Sequence, residues 1–114
     1  MNDCIFCRIA QKQVASSCVY EDDDVYAFKD LNPQAPVHVL IIPKAHITDV
    51  AVLQEQHDTL AGKLLRIGAQ IAREIGIERT GYRLVANVGP HAGQSVFHLH
   101  IHLLGGRQMT WPPG

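Results

Sequence analysis

His98-Leu99-His100-Ile101-His102, continued by Leu103-Leu104, alternates imidazole with aliphatic side chain. Successive side chains of an extended strand point to opposite faces. The stretch therefore predicts a strand from Val96 to Leu104, with three imidazoles on one face and Phe97, Leu99, Ile101 and Leu103 on the other. Same-face neighbours lie about 6.5–7 Å apart at roughly 3.3 Å of rise per residue, so one small anion can touch the whole row. Imidazole serves as acid, base, nucleophile or ligand near neutral pH.

Before this strand, Gly89-Pro90-His91-Ala92-Gly93 reads as a turn, and Tyr82 to Val88 alternates as another strand. From Gln54 to Ile75 the period changes: Leu60, Leu64, Ile67, Ile71 and Ile75 recur every three or four residues, which marks one amphipathic helix. Gly76 suits the left-handed cap that ends it. Val37 to Ile42 reads as a buried strand stopped by Pro43, after a loop at Asn32-Pro33-Gln34-Ala35-Pro36. Val19-Tyr20 and Val25 to Phe28 are strands joined by the acidic turn Glu21-Asp22-Asp23-Asp24, and Cys4 to Ala10 is a short helix. Gly105-Gly106 ends the histidine strand. The tail Trp111-Pro112-Pro113-Gly114 has no regular structure, and its Trp is expected to dock on a surface such as that of a second subunit. The sum is one α+β domain over residues 1–114 with a mainly antiparallel sheet, one long helix and one short helix.

The 114 residues carry ten basic and eleven acidic side chains, for a net charge of -1. No basic block stands out, which argues against a nucleic acid polymer as partner and leaves a single nucleotide open. Met1 to Ala10 lacks an apolar run of signal-peptide length, and no stretch approaches a membrane span, so a cytoplasmic protein without a membrane partner is expected. Three cysteines, two of them in Cys4-Ile5-Phe6-Cys7, do not make a secreted disulfide framework.

The histidine row has three readings: a plain polar sheet face, a metal site, or covalent catalysis with one imidazole attacking and its neighbours orienting it. Phosphoryl transfer suits the last. A neutral imidazole attacks phosphorus without first ionising, its second nitrogen is fixed by a backbone carbonyl, and the amides of Gly93-Gln94-Ser95-Val96 can hold phosphate oxygens.

The row resembles the His-x-His-x-His-x-x signature of the histidine triad (HIT) family. Phe28-x-Asp30-Leu31-Asn32-Pro33-Gln34-Ala35-Pro36-x-His38 and Gly93-Gln94-Ser95-Val96-Phe97 look like the family's segments around its nucleotide site. Gly105-Gly106-Arg107-Gln108-Met109 and the Trp-Pro-Pro-Gly ending resemble the branch of histidine triad nucleotide-binding proteins. The resemblance implies a five-stranded HIT-like fold, and a homodimer whose two sheets join into one of ten strands. It also implies a purine nucleotide substrate: a purine nucleoside phosphoramidate, such as an adenylylated amine, hydrolysed to a nucleoside monophosphate. His100 would attack the α-phosphorus. His98 and His102 would hold phosphate oxygens, His38 would complete the relay behind them, and Ser95 would help protonate the departing amine. Asp30 would accept the ribose hydroxyls. Ile5, Phe6, Ile9, Phe28 and Leu31 would wall the base, and Asn87, Gly93, Gln94, Ser95 and Val96 would line the phosphate. The plain alternatives are core packing for the apolar residues, turn formation for Asp30 and Gly93, and a satisfied core imidazole for His38.

Cys4 and Cys7 need two more ligands to hold zinc. Pro43-Lys44-Ala45-His46 resembles the family's Pro-Lys-x-His segment, and in members that carry zinc the implied set is Cys4, Cys7, His46 and His98. The reaction itself needs no cofactor, so this zinc is structural. The alternative is a pair of small apolar thiols on a short helix. His57 and His91 are given no role. Two other functions stay open: hydrolysis of dinucleoside polyphosphates, against which the chain's ending counts, and a nucleotide-binding interaction protein that needs no turnover.

Overall fold

Strands β1 (Cys18–Glu21), β2 (Val25–Lys29), β3 (Val37–Pro43), β4 (Tyr82–Val85) and β5 (Ile101–Gly105) form one antiparallel sheet in the order β1-β2-β3-β5-β4. The structure is a computed structural model that describes residues 3–114. Met1 and Asn2, the first two positions of the expected domain, lie outside the described residues. Helix α1 (Ile5–Ala10) covers one face of the sheet and α2 (Asp58–Ile75) the other.

Central β3 explains why its sequence is apolar almost without interruption. Val39 and Ile41 face α2 and pack with Leu64, Ile67, Ile71 and Leu103, while Leu40 and Ile42 face α1 and pack with Phe6, Ile9 and Phe28. A strand buried on both faces has no polar side to show. Each large aliphatic side chain so buried contributes roughly 1.5–3 kcal/mol. Gly68 brings α2 close to the sheet, since a Cβ there would sit 2.9 Å from Leu84 Cδ2 and 3.2 Å from Ile41 Cδ1.

The acidic turn between β1 and β2 is built by Asp22. Its Oδ1 accepts the amides of Asp24 and Val25, both at 2.8 Å, and its Oδ2 accepts from the Tyr20 hydroxyl at 2.7 Å. Lys63 of α2 pairs with the same carboxylate at 2.9 Å and ties the hairpin to the helix. Burial alone would raise the Asp22 pKa, but the Tyr20 hydroxyl, Lys63 and the two amides hold it well below the usual carboxylate range.

Several sequence-based boundaries shift. The long helix begins at Asp58, and Glu55–His57 forms a separate 3-10 turn in which His57 Nδ1 accepts the Gln54 amide at 2.9 Å. Gly76 takes the left-handed cap with φ of 95°, as its position implies. Ile75 is 42% exposed, so the apolar stripe ends one turn early. The histidine strand pairs only from Ile101. Continuing the register Ile41↔Ile101 would place Pro43 opposite Leu99, and proline has no N–H to give. The Leu99 amide turns instead to the Ile47 carbonyl at 2.6 Å. Because Val85 already faces His102 near the start of β5, the segment after Val85 finds no backbone to pair with, and β4 stops short of Val88. Side-chain alternation survives the loss of pairing: Leu99, Ile101 and Leu103 are buried in the core under α2, though Phe97 is 60% exposed and does not join them. Trp111 is 83% exposed, so no surface of its own chain receives it.

Candidate active site and metal centre

The hydrogen bonds of the four clustered histidines assign every ring's proton. A carbonyl oxygen only accepts and a backbone amide only donates. The His100 nitrogen 2.7 Å from the His98 carbonyl is Nδ1, so Nδ1 carries a proton, and in the neutral ring Nε2 keeps its lone pair. The Gln34 amide donates to His38 Nδ1 at 3.0 Å, so the His38 proton is on Nε2. That Nε2–H donates to His102 Nδ1 at 2.9 Å, which leaves His102 with an Nε2–H. The pair His100 and His102, with ring centroids 4.9 Å apart, thus presents one lone pair and one donor. Among the described residues no buried polar side-chain atom lacks a partner. His100 Nε2 and His102 Nε2, which have no partner among the described residues, therefore open onto solvent.

Burial supports neutral rings at His38, His98 and His102. It lowers His38, against the pull of Asp30, and lowers His98 despite its bond to the Pro43 carbonyl. His102 is held at about 4 by burial first, then by His100 and His38. An unfolded histidine titrates near 6.5. Between the two values the unfolded chain binds more protons than the folded one, so stability rises with pH across that window. We expect full stability above about pH 6.5 and a progressive loss toward pH 4, of about 1–2 kcal/mol once solvent screening is allowed for. Urea midpoints at pH 7.0, 5.5 and 4.5 measure it; a flat series would mean that these rings charge freely in the folded state.

Asp30 continues the relay. Its Oδ2 lies 3.4 Å from His38 Nε2, and its Oδ1 accepts the Asn32 amide at 2.8 Å. The turn bond uses one of about four lone-pair sites on the carboxylate, so acceptor capacity remains for a ligand. Although Asp30, His38 and His102 could share an ion by proximity, the 2.9 Å separation of the two imidazoles is a hydrogen bond. Two nitrogens bound to one tetrahedral zinc would lie about 3.3 Å apart.

Phe6 stands edge-on to His100 at 5.1 Å and to Phe28 at 5.5 Å, so α1 and β2 supply an apolar wall beside the triad. Ile9 is buried with them. Ile5 is 39% and Leu31 95% exposed, large apolar side chains left open on this wall's margin. In the preceding loop, the amides of Gly93 and Gln94 donate to Pro90 and Gly89 carbonyls at 3.1 Å each, and are not available to an anion. The Gln94 side chain is also spoken for: Oε1 accepts the Gly89 amide at 2.8 Å and Nε2 reaches the carbonyls of Thr48 and Val96. This corrects the expectation that all four amides of the loop can hold phosphate oxygens; among the described residues the amides of Ser95 and Val96 have no acceptor. Ser95 is exposed and Asn87 partly buried, and neither side chain bonds a triad ring among the described residues.

Behind the triad, Cys4, Cys7, His46 and His98 bring their ligand atoms within 4.8 Å of one another. Cys4 Sγ and Cys7 Sγ lie 3.3 and 3.4 Å from His98 Nδ1, and Cys7 Sγ lies 3.3 Å from His46 Nδ1. In a tetrahedral zinc site with Zn–S of about 2.3 Å and Zn–N of about 2.05 Å, a sulfur and a nitrogen lie about 3.6 Å apart, so the set needs only a slight expansion. His98 Nε2–H donates to the Pro43 carbonyl at 2.8 Å, leaving the Nδ1 lone pair turned to the thiols. Metal-binding imidazoles are oriented in this way. The residues fit zinc. They also correct the role expected of His98, whose two nitrogens are both engaged inside the protein.

Comparison with known proteins agrees with this arrangement. Residues 11–109 match the model of the HIT domain. The chain belongs to the HIT family. It is 52% identical over 112 residues to a 14 kDa zinc-binding protein of Zea mays, covering 96% of this chain and 87% of the maize protein. It is 46% identical to Adenylylsulfatase HINT1 of Arabidopsis thaliana, covering 96% of this chain and 76% of that one. The crystal structure of a HIT family hydrolase from Legionella pneumophila Philadelphia 1 superposes with a TM-score of 0.97 at 47% identity, covering 98% of this chain and 100% of the other. This HIT-family chain thus shares its fold and nearly half its sequence with a hydrolase. No helix among its described residues is long and apolar enough to cross a membrane.

Residue types and spacing point to the four histidines and the thiols. They give no sign of the Pro43, Ile47 and His98 carbonyls or the Gln34 amide, because backbone groups look alike at every position of a sequence.

Proposed function

We propose that this protein hydrolyses purine nucleoside phosphoramidates, of the adenylylated-amine type, through a nucleotidyl-histidine intermediate. One observation carries the reading: the hydrogen-bond partners leave a lone pair on His100 Nε2 beside a donor on His102 Nε2. His100 Nε2 attacks the α-phosphorus and the bond from phosphorus to the leaving amine breaks. The His100 ring becomes cationic, and its Nδ1–H to the His98 carbonyl stabilises that charge. His102 Nε2–H and the Ser95 and Val96 amides hold the phosphate oxygens, while Ser95 passes a proton to the amine. Water then attacks phosphorus, returns a proton to Ser95 and breaks the bond to His100, releasing the nucleoside monophosphate. Phe6, Ile9, Phe28, Ile5 and Leu31 wall the base, Asp30 accepts the ribose hydroxyls, and Asn87 lines the phosphate.

Zinc bound by Cys4, Cys7, His46 and His98 supplies a structural tie between α1, the segment after β3 and the triad, and takes no part in the reaction. A homodimer is part of the same reading. Strand β4 pairs with β5 on one side and has no partner strand on the other among the described residues, and a cavity of about 580 Å³ opens beside it, lined by Tyr82, Arg83, Arg107 and Met109 among others and by no triad histidine. Pairing the two β4 edges gives ten strands and a surface for Trp111.

The test is turnover of a model adenosine phosphoramidate, with adenylyl sulfate and a diadenosine polyphosphate alongside. The phosphoramidate is expected to react fastest, with an intact-mass gain of one nucleoside monophosphoryl group and a solution mass of twice the chain. Faster sulfate release would favour the activity in the Arabidopsis relative's name. Faster cleavage of the diadenosine compound would favour the dinucleoside reading, and nucleotide binding without product over a long incubation would leave only a binding protein.

A further inference from the structure

The segment that carries His98 and His100 lies outside the sheet's ladder, because β5 pairs only from Ile101. Other bonds hold it. The Leu99 amide donates to the Ile47 carbonyl at 2.6 Å, and His98 Nε2–H donates to the Pro43 carbonyl at 2.8 Å. His98 Nδ1 faces the two thiols at 3.3 and 3.4 Å. His46, whose ring stands edge-on to His98 at 5.0 Å, is the residue just before Ile47. The cluster therefore grips both sides of this clamp: His98 itself, and the neighbour of the carbonyl that holds Leu99. From His98 a single atom leads to the reacting ring, since its carbonyl accepts the His100 Nδ1–H at 2.7 Å.

We infer that Cys4, Cys7 and His46 are positioning residues for His100. Held by these three side chains through a shared ion, His98 keeps its carbonyl where it dictates which nitrogen of His100 carries the proton. The inference rests on the proposed reading of His100 as nucleophile and adds to it a dependence on residues that never touch substrate. Its physical core is the tautomer. A neutral imidazole released from that carbonyl can place its proton on Nε2, and an Nε2–H has no lone pair to offer phosphorus. Loss of the centre should thus cost turnover more than substrate binding: Phe6 lies between the two thiols and stands edge-on to His98 at 6.1 Å, so part of the apolar wall feels the loss, but Phe28 and the Asp30 carboxylate do not run through His98.

The experiment compares wild type, wild type stripped with a zinc chelator, the stripped protein given Zn²⁺ again, His46→Gln, and the double variant Cys4→Ser/Cys7→Ser. Zinc content, Tm, kcat and KM are measured, together with ¹⁵N NMR of the His100 ring nitrogens. Stripping and both variants are expected to lower kcat about tenfold, the usual scale for removing an orienting partner, with KM changed less than about twofold. The ¹⁵N signals should move from a single Nδ1–H tautomer toward a mixture. Added Zn²⁺ should restore stripped wild type and leave the cysteine variant unchanged. A merely stabilising centre would lower Tm while kcat of the folded protein and the His100 signals stayed as in wild type, and that result overturns the inference. If the cysteine variant fails to fold, stripped wild type and His46→Gln decide. If wild type turns over no adenylyl compound, the proposed reaction falls, and the ¹⁵N signals alone settle whether the cluster positions the ring.

Discussion

Replacement of His100 by alanine is expected to abolish phosphoramidate turnover, by roughly 10³-fold or more in kcat, because no other group can take over the covalent step. His38 and His98 have their lone pairs committed to the Gln34 amide and to the thiol cluster, and His102 accepts from His38. None offers a second nucleophile. The substitution should leave the fold standing. It removes one hydrogen bond, to the His98 carbonyl, worth about 1 kcal/mol net. It also removes an edge contact with Phe6, while the cores on both sides of the sheet stay intact. Matched circular dichroism and Tm with no product, and no nucleotidyl adduct by mass, is the expected record. More than a tenth of wild-type activity in a folded His100→Ala protein would refute the mechanism.

Replacement of His102 by alanine comes next in size. In the proposed mechanism the ring supplies the donor that meets negative charge on the phosphate, and losing one such donor typically costs about 10²–10³-fold in kcat. His38→Ala should cost less, about tenfold, because His102 remains and only its tautomer is released. The order His102 before His38 is the informative part. It follows from the direction of the relay, in which the Gln34 amide donates to His38 and His38 donates to His102. A larger loss at His38 than at His102 would mean that His38 itself meets the substrate and that the relay runs otherwise. Initial rates under saturating substrate distinguish the cases, provided Tm shows both variants folded.

Much of the architecture is legible in residue periodicity. The apolar run over Val37 to Ile42, broken only by His38, the 3.6-residue spacing of Leu60, Leu64, Ile67 and Ile71, and Gly76 at the helix end each report local geometry, and each is realised. The acidic run after Tyr20 announces a turn, and Asp22 builds it. The misplaced strand boundaries have a common cause. Val96–His100 and the residues after Val85 have strand-like sequences, yet a strand needs a partner backbone, and Pro43 ends what β3 can offer. Pairing is a property of two segments and cannot be read from one.

The site divides along the same line. Sequence resemblance gathers the four histidines, Asp30 and the two thiols, and the fold brings these together. It also assigns Gln94 and Gly93 to the phosphate, where the structure shows their amides closing the loop instead. A turn amide and a phosphate-binding amide are the same group in sequence; only neighbouring carbonyls separate them. His57, without a role in the sequence reading, caps a 3-10 turn through a bond to an amide three residues away.

By itself the chain determined its α+β class and antiparallel sheet, because period and composition are local properties of a polymer, and through the resemblance of its motifs it pointed to its family and to the residue types at its centre. Tertiary structure alone decided which nitrogen of each imidazole holds a proton and which role His98 plays. Those choices depend on carbonyls of Pro43, Ile47 and His98 and on the Gln34 amide, groups every residue possesses and only long-range packing places.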